Sequence, residues 1–370
     1  MERASLNRLQ PGTTSDAAHA RLDYRARIEG ADIHLTCEND ILSARIGAAV
    51  APAAAWKVQQ DDGKTTLTSL STSTDETNTS VALSAALEML FSRNAHTDTV
   101  ALSLPPDQTA YLRQTGLAIA ADNGNLQVHA GMFWQQRRHW LATTTATTAT
   151  DIAPLPLQYR MTDGKRHPLR PLKPQGEVYR RYIPWLQATL SFRRLDVERD
   201  LAHFNRWMND PVVAHFWQET GSLEQHRHYL AKLDADAHVF PLIASLDDRP
   251  FGYFEIYWAR EDRIAPFSDA GDYDRGWHVL IGEEQCRGQA FVSAWMPSIS
   301  HYLFLDDPRT QRLLIEPRSD NKKMLRSLDR SGYALLKEFD FPHKRAMLGM
   351  VSRERFFSEQ LWIPRPASVT

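Results

Sequence analysis

From residue 187 to residue 352 the apolar residues keep switching period, from every second position to every third or fourth and back, with turn residues at the switches. ATLSFRRL (188–195) reads as a strand, followed by a helix around 197–209 and a second amphipathic helix at 222–233. Strands follow at 239–245 and 251–258, divided by the turn LDDRP, and GWHVLIG (276–282) is another. Next come the helix QAFVSAWMPSISHYLFL (289–305), the strand RLLIEP (312–317), the helix NKKMLRSLDRSG (321–332) and two strands near 333–341 and 345–352. Units in this order bury their apolar faces as a mixed sheet flanked by helices, an α/β (α+β) architecture.

The upstream sequence is less regular. Residues 20–140 mix short β-like runs such as IHLTCEN (33–39) with one helical stretch, SVALSAALEMLFSRNA (80–95), and read as a smaller mixed α/β domain, a decayed copy of the later fold being one reading. LATTTATTATDIAPLPLQ (141–158) is too poor in large apolar side chains to fold alone, and the proline-punctuated HPLRPLKPQGEVYRRYIPW (167–185) carries aromatics to dock. The expected division is 1–140, a linker and ordered connector at 141–185, a second domain at 186–357 and a tail at 358–370. A chain of 370 residues with 42% hydrophobic content has material for two cores.

Charge and cysteine usage exclude several classes of function. A formal net charge of −2 leaves no electrostatic footprint for nucleic acid or a membrane surface. No apolar run approaches the roughly 20 residues that span a bilayer, and MERASLNRLQPG lacks a signal-peptide core, so the expected location is the cytoplasm. Cys37 and Cys286 are too far apart in sequence to suggest a disulfide framework, and too few for a Cys-rich zinc site.

The sharpest local signal is Gln285-Cys286-Arg287-Gly288-Gln289-Ala290, between a buried-looking strand and a long helix. Such a turn aims backbone N–H groups and a helix N-terminus at one spot, where a pyrophosphate is neutralised. Gly288 permits close approach, and Ala290 keeps the helix start small. The run matches the Q/R-x-x-G-x-G/A pattern of the GNAT acetyltransferases. RWMNDPVVAHFW, GWHVLIG, LIEPRSDN, RSGY and FPHKRAMLGMVSRERFF, together with the connector, then resemble in order the signatures of siderophore-type N-acyltransferases. These are similar to the aerobactin-pathway N-hydroxylysine acetyltransferases and the mycobactin-type lysine N-acyltransferases, over roughly residues 165–357.

The resemblance implies a GNAT fold and a set of roles. Gln285, Arg287, Gly288, Gln289 and Ala290 would hold coenzyme A, with Asn321 beside the pantetheine arm. His278 would be the base that takes the proton from the attacking nitrogen, and backbone N–H groups near Val279 and Leu280 would polarise the thioester carbonyl. Asp320 would assist His278, although the mycobactin-type pattern has its acid directly after Glu-Pro, where this chain has Arg318. Asp320 and Asn321 also read as ordinary helix caps. Trp217 would wall the acceptor's methylene chain, with Gln218 among the polar neighbours that recognise its far end. Tyr333 stands where relatives place a tyrosine near the departing sulfur, though core packing is its default role. Arg170, Arg180 and Arg181 are accounted for by surface solvation, and Cys286 is a bystander in the loop.

The expected activity is direct acyl transfer from acetyl-CoA or succinyl-CoA to N-hydroxylysine, N-hydroxyornithine, N-hydroxycadaverine or N-hydroxyputrescine, giving a hydroxamate without a metal. The expected partners are these small molecules, with a second copy of the chain or siderophore-pathway enzymes as protein partners. An aminoglycoside-type N-acetyltransferase and a non-catalytic acyl-CoA-binding scaffold are the alternatives.

Overall fold

The computed structural model describes residues 21–364 apart from 62, 73–74, 94–96, 122–123 and 143–157, so most of the Thr/Ala tract lies outside the described residues. The first half runs β1 (Leu22–Ile28), β2 (Ala31–Glu38), β3 (Ile41–Ile46), β4 (Ala54–Asp61), β5 (Lys64–Thr72), α1 (Glu76–Arg93), β6 (Thr99–Ser103), α2 (Pro106–Gln114), β7 (Ala118–Ala120) and β8 (Leu126–His129). Two one-turn helices, α3 (Ala130–Phe133) and α4 (Arg137–Trp140), and a separate hairpin, β9 (Tyr159–Thr162) with β10 (Lys165–Pro168), lead to the second half.

The second half begins inside the stretch read as connector, with β11 (Glu177–Ile183) and β12 (Ala188–Arg194). It continues through α5 (Val197–Met208), α6 (Pro211–Trp217), α7 (Leu223–Ala235), β13 (Val239–Leu246), β14 (Arg249–Trp258), α8 (Ala265–Ser268) and β15 (Arg275–Ile281). Then come α9 (Gln289–Asp306), β16 (Arg312–Ile315), α10 (Lys322–Arg330), β17 (Ala334–Phe341), β18 (Lys344–Ser352) and α11 (Arg353–Ser358).

The two halves share one strand order. The first sheet is β1-β2-β3-β4-β5-β6-β8-β7 and the second β11-β12-β13-β14-β15-β16-β18-β17. Each is antiparallel except at one pair, β5 with β6 and β15 with β16. In both halves a long helix crosses between the parallel partners, α1 in the first and α9 in the second. The later fold therefore recurs upstream, with local differences, two of which bear on the site. Between β2 and β3 the first half has only a tight hairpin turn, in which Asn39 and Asp40 are both left-handed (φ 50° and 61°), where the second half inserts α5, α6 and α7 between β12 and β13. The parallel pair of the first sheet stays in register over four residues, Thr65↔Val100 to Thr68↔Ser103, whereas that of the second meets only at Arg275↔Leu313 and then splays.

Gly276 lies at the root of the splay. A Cβ there would stand 2.2 Å from the Leu314 carbonyl oxygen and from the Tyr257 ring, so only glycine lets the strands meet before they part. One continuous apolar core joins the halves. At the seam Trp134 stacks on Trp140 and Trp362 (ring centroids 4.2 and 4.9 Å), while His301 on α9 meets the Trp134 carbonyl (2.6 Å) and the Tyr179 hydroxyl (2.9 Å). Part of the stretch read as a tail belongs to this core, because Leu361, Trp362 and Ile363 are buried.

Candidate active site

The parity of the β14–β15 ladder decides what the splay presents. The Gly282 N–H bonds to the Phe251 carbonyl (2.9 Å) and the Ala259 N–H to the Asp274 carbonyl (2.8 Å), which places the even-numbered residues of β15 in that ladder. Trp277, Val279 and Ile281 therefore turn their backbone N–H and C=O groups to the other side, where β16 has diverged. The result is a strand edge with exposed peptide groups inside the protein, a slot for an extended ligand that carries amides.

A cavity of about 580 Å³ opens from this slot, and His278, Val279, Trp217, Gln218 and Asn321 all line it. His278 projects from β15 between its two neighbouring strands. Its Nδ1 lies 3.0 Å from Glu255 on β14 and its Nε2 2.9 Å from Glu316, which follows β16. Both carboxylates are buried, while a fifth of the histidine side chain remains accessible. Tyr229 and Tyr253 donate to Glu255 (2.5 and 2.9 Å), and Tyr257 and Arg263 donate to Glu316 (2.9 and 3.0 Å).

Burial disfavours charge on His278, yet Glu316 and Glu255 outweigh it and push the imidazole pKa up to about 9. Burial would likewise raise Glu316, but the adjacent imidazole, with Lys344 and Arg263, holds it well below the usual carboxylate range. At neutral pH the site thus keeps an imidazolium between two carboxylates, whereas the role of base expected from sequence needs the neutral imidazole.

The loop expected to hold coenzyme A, residues 285–290, follows the outer end of β15. Gly288 adopts φ 127°, which side-chain-bearing residues rarely reach, and precedes the 18-residue helix α9, whose first turn holds no acidic side chain. Its leading N–H groups can meet a phosphate. Arg287 folds back onto the Ile281 and Gly282 carbonyls (3.0 and 3.3 Å), and the Ala290 carbonyl accepts from Trp185 (3.0 Å). Gln285, Gln289 and Ala290 are exposed at this rim.

Several sequence expectations are redirected. Asp320 does not partner His278; it is exposed and held by both ends of Arg318 (3.0 and 2.8 Å). Leu280 offers no N–H to the slot, because its backbone belongs to the β14 ladder and its side chain packs with Phe204 and Trp207. Asn321 caps α10 by accepting from the Met324 N–H (3.1 Å) while also lining the cavity. The Tyr333 hydroxyl is enclosed by Trp277 Nε1 (3.0 Å) and Ser300 (2.8 Å), away from the cavity. Arg170 and Arg181 are not solvated surface groups: the first is a buried partner of Glu261, and the second donates to the Trp362 carbonyl (2.6 Å). Arg180 pairs with Glu177.

The sequence reading missed Glu255 and Glu316. Each is a lone acid in an apolar strand context, PFGYFEIYW and RLLIEP, which is the available signal, since a carboxylate there must find a partner.

A family model described as an acetyltransferase (GNAT) domain matches residues 196–341, the span that holds the splayed pair, the loop and most of the cavity's lining. The class is that of GNAT acyltransferases. N(6)-hydroxylysine O-acetyltransferase of Escherichia coli is 45% identical over 235 residues, 63% of this chain and 72% of that protein. An acyltransferase of Omphalotus olearius is 38% identical over 295 residues (74% and 75%), and a hydroxyornithine transacylase of Ajellomyces capsulatus is 38% identical over 252 residues (62% and 57%). The chain belongs to this GNAT family of hydroxylysine and hydroxyornithine acyltransferases. Among the described residues, no helix is long and apolar enough to cross a membrane.

Proposed function

We propose that the protein transfers an acyl group from acyl-CoA to the nitrogen of an N-hydroxylated amine, forming a siderophore hydroxamate, and that residues 186–357 with strand β11 carry the reaction. The observation that carries this reading is the half-buried His278, set between two carboxylates on the strand that β16 leaves to face the slot. The pantetheine arm supplies two amides and would lie along β15 where β16 is missing, with its pyrophosphate at the start of α9. The Val279 N–H would stabilise charge on the thioester oxygen.

The acceptor nitrogen attacks the thioester carbon, the C–S bond breaks, the thiolate departs, and the nitrogen's proton passes to the neutral fraction of His278. Because an N-hydroxy amine is less basic than an alkylamine, it enters as the free nucleophile. Cys286 takes no part: burial pushes its thiol up. Acetyl and succinyl groups are the proposed donors, and the N-hydroxy forms of lysine, ornithine, cadaverine and putrescine the proposed acceptors.

Purified protein would be offered each donor with each acceptor and with an aminoglycoside, following free thiol and the colour of the ferric hydroxamate. Thiol release with hydroxamate colour is expected for at least one N-hydroxy amine. Release without colour would indicate transfer to oxygen, and release only with the aminoglycoside would overturn the reading.

A further inference from the structure

The slot along β15 is already engaged by the protein's own side chains. The Val279 carbonyl accepts a hydrogen bond from the Trp217 indole (3.1 Å), and the Ile281 carbonyl accepts one from Arg287 (3.0 Å). By the ladder parity both carbonyls point into the splay, so these are acceptors an extended ligand would use.

Both bonds lead to one element. Trp217 is the last residue of α6, and Asp210, which caps the start of α6 by accepting from the Val212 and Val213 N–H groups (2.9 and 3.2 Å), lies 3.3 Å from Arg287. Helix α6 is thus tied at its start to the coenzyme loop and at its end to the slot. The same helix end builds the acceptor side of the cavity, since Phe216, Trp217, Gln218 and Glu219 all line it. The chain turns directly after the tie, at Gln218 in the left-handed region (φ 57°).

We propose that Trp217 and Asp210 are positioning residues that make α6 a latch on the acyl-donor site: donor binding takes the Val279 carbonyl and the Arg287 guanidinium from α6, and only the released helix completes the acceptor pocket. The proposal rests on the acyltransferase reading above and names the residues through which the donor and acceptor sites are coupled. It also gives Trp217 a role beyond walling the acceptor chain. A wall residue has no reason to weaken coenzyme A binding, whereas a latch competes with it.

The test is calorimetric titration of coenzyme A into wild type, Trp217→Phe and Asp210→Asn. Phenylalanine keeps a ring and loses the N–H, and asparagine keeps the helix cap and loses the charge on Arg287. Loss of one competing hydrogen bond is expected to tighten coenzyme A binding roughly fivefold in Trp217→Phe, and loss of the ion pair roughly twofold in Asp210→Asn. In wild type the N-hydroxy amine should bind at least tenfold more tightly to protein saturated with coenzyme A than to free protein. Unchanged or weaker coenzyme A binding in both variants, or equal acceptor affinity with and without coenzyme A, overturns the latch while leaving the acyltransferase reading intact. A wild type that binds no coenzyme A overturns both.

Discussion

Replacing Glu316 by glutamine should move the pH dependence of the reaction in a defined direction. His278 is raised from 6.5 to about 9, a preference of about 3 kcal/mol for the charged form that survives after burial has opposed it. At pH 7 the base form is then about 1% of the free protein, so kcat/KM should climb about tenfold per pH unit above neutrality and bend near pH 9. Glu316 sits 2.9 Å from Nε2 and is fully shielded from solvent, which makes it the stronger of the two carboxylates acting on the ring. The Glu316→Gln change removes that charge and leaves Glu255, Arg263 and Lys344 around the site, and all but Glu255 disfavour the imidazolium. The bend should fall by roughly one to two units, with a lower plateau because the imidazole becomes a weaker base. Initial rates of hydroxamate formation between about pH 6 and about pH 10 read this directly. A wild-type profile flat above neutrality, or a variant whose bend stays near that of wild type, would refute the assignment of His278 as the base under carboxylate control.

The same raised pKa affects stability. Because the folded value lies above the unfolded one, the contribution of His278 is full below about pH 6.5 and lost as the pH rises through about 9; the stability gap between wild type and His278→Gln in denaturant titrations should therefore narrow by about 3 kcal/mol across that window, and a constant gap would contradict the charge assignment. Gly288→Ala should weaken coenzyme A binding by about tenfold or more with little change in thermal midpoint, since the strain of φ 127° falls on the exposed loop; unchanged affinity in calorimetry would remove the loop from the donor site. Tyr333→Phe should leave turnover within about threefold while costing about 1–3 kcal/mol, because it strips Trp277 Nε1 of its partner, whereas a general acid would lose about a hundredfold or more in rate.

Where an element's own periodicity is strong, the sequence located it. α5, α7, α9 and strands β12 to β18 lie within a few residues of their expected spans, most of them because they present one apolar face or a continuous buried run; β17, with Leu335 and Leu336 exposed, does neither. β11 was concealed in a proline-punctuated stretch, where RRYI gives no clean alternation although Arg181 is as buried as its neighbours. The strands of the first half, such as KTTLTSLST, carry too few apolar residues to reveal their order.

The site shows a different limit. His278 could be placed by resemblance, but its partners come from β14 and from the end of β16, which become its neighbours only through the sheet order β14-β15-β16. The resemblance pointed to Asp320 instead, and that carboxylate is held by Arg318 at the exposed start of α10. The sign of the histidine's charge followed the same error, since it depends on how many carboxylates share the ring.

The repeated strand order makes the two halves directly comparable, and only the second opens a slot of the kind proposed for the pantetheine arm. In the first half the parallel strands remain zipped over four register pairs, which leaves no free edge for a pantetheine arm. Its crossover helix α1 is preceded by Asp75, whose carboxylate already accepts from the Thr77 and Asn78 N–H groups (2.9 and 3.2 Å), so a fixed anion occupies the place that Gly288 leaves open on α9. The hairpin at Asn39 and Asp40 leaves no helices to build an acceptor pocket. What the first half retains is a grip on the working half: Arg137 donates to the Leu305 and Asp306 carbonyls at the far end of α9 (2.8 and 3.1 Å), and the Trp134 carbonyl holds His301 on the same helix. The helix at whose start we propose the pyrophosphate to bind is thereby held near its far end by the first half, which gives that half a structural role in the site.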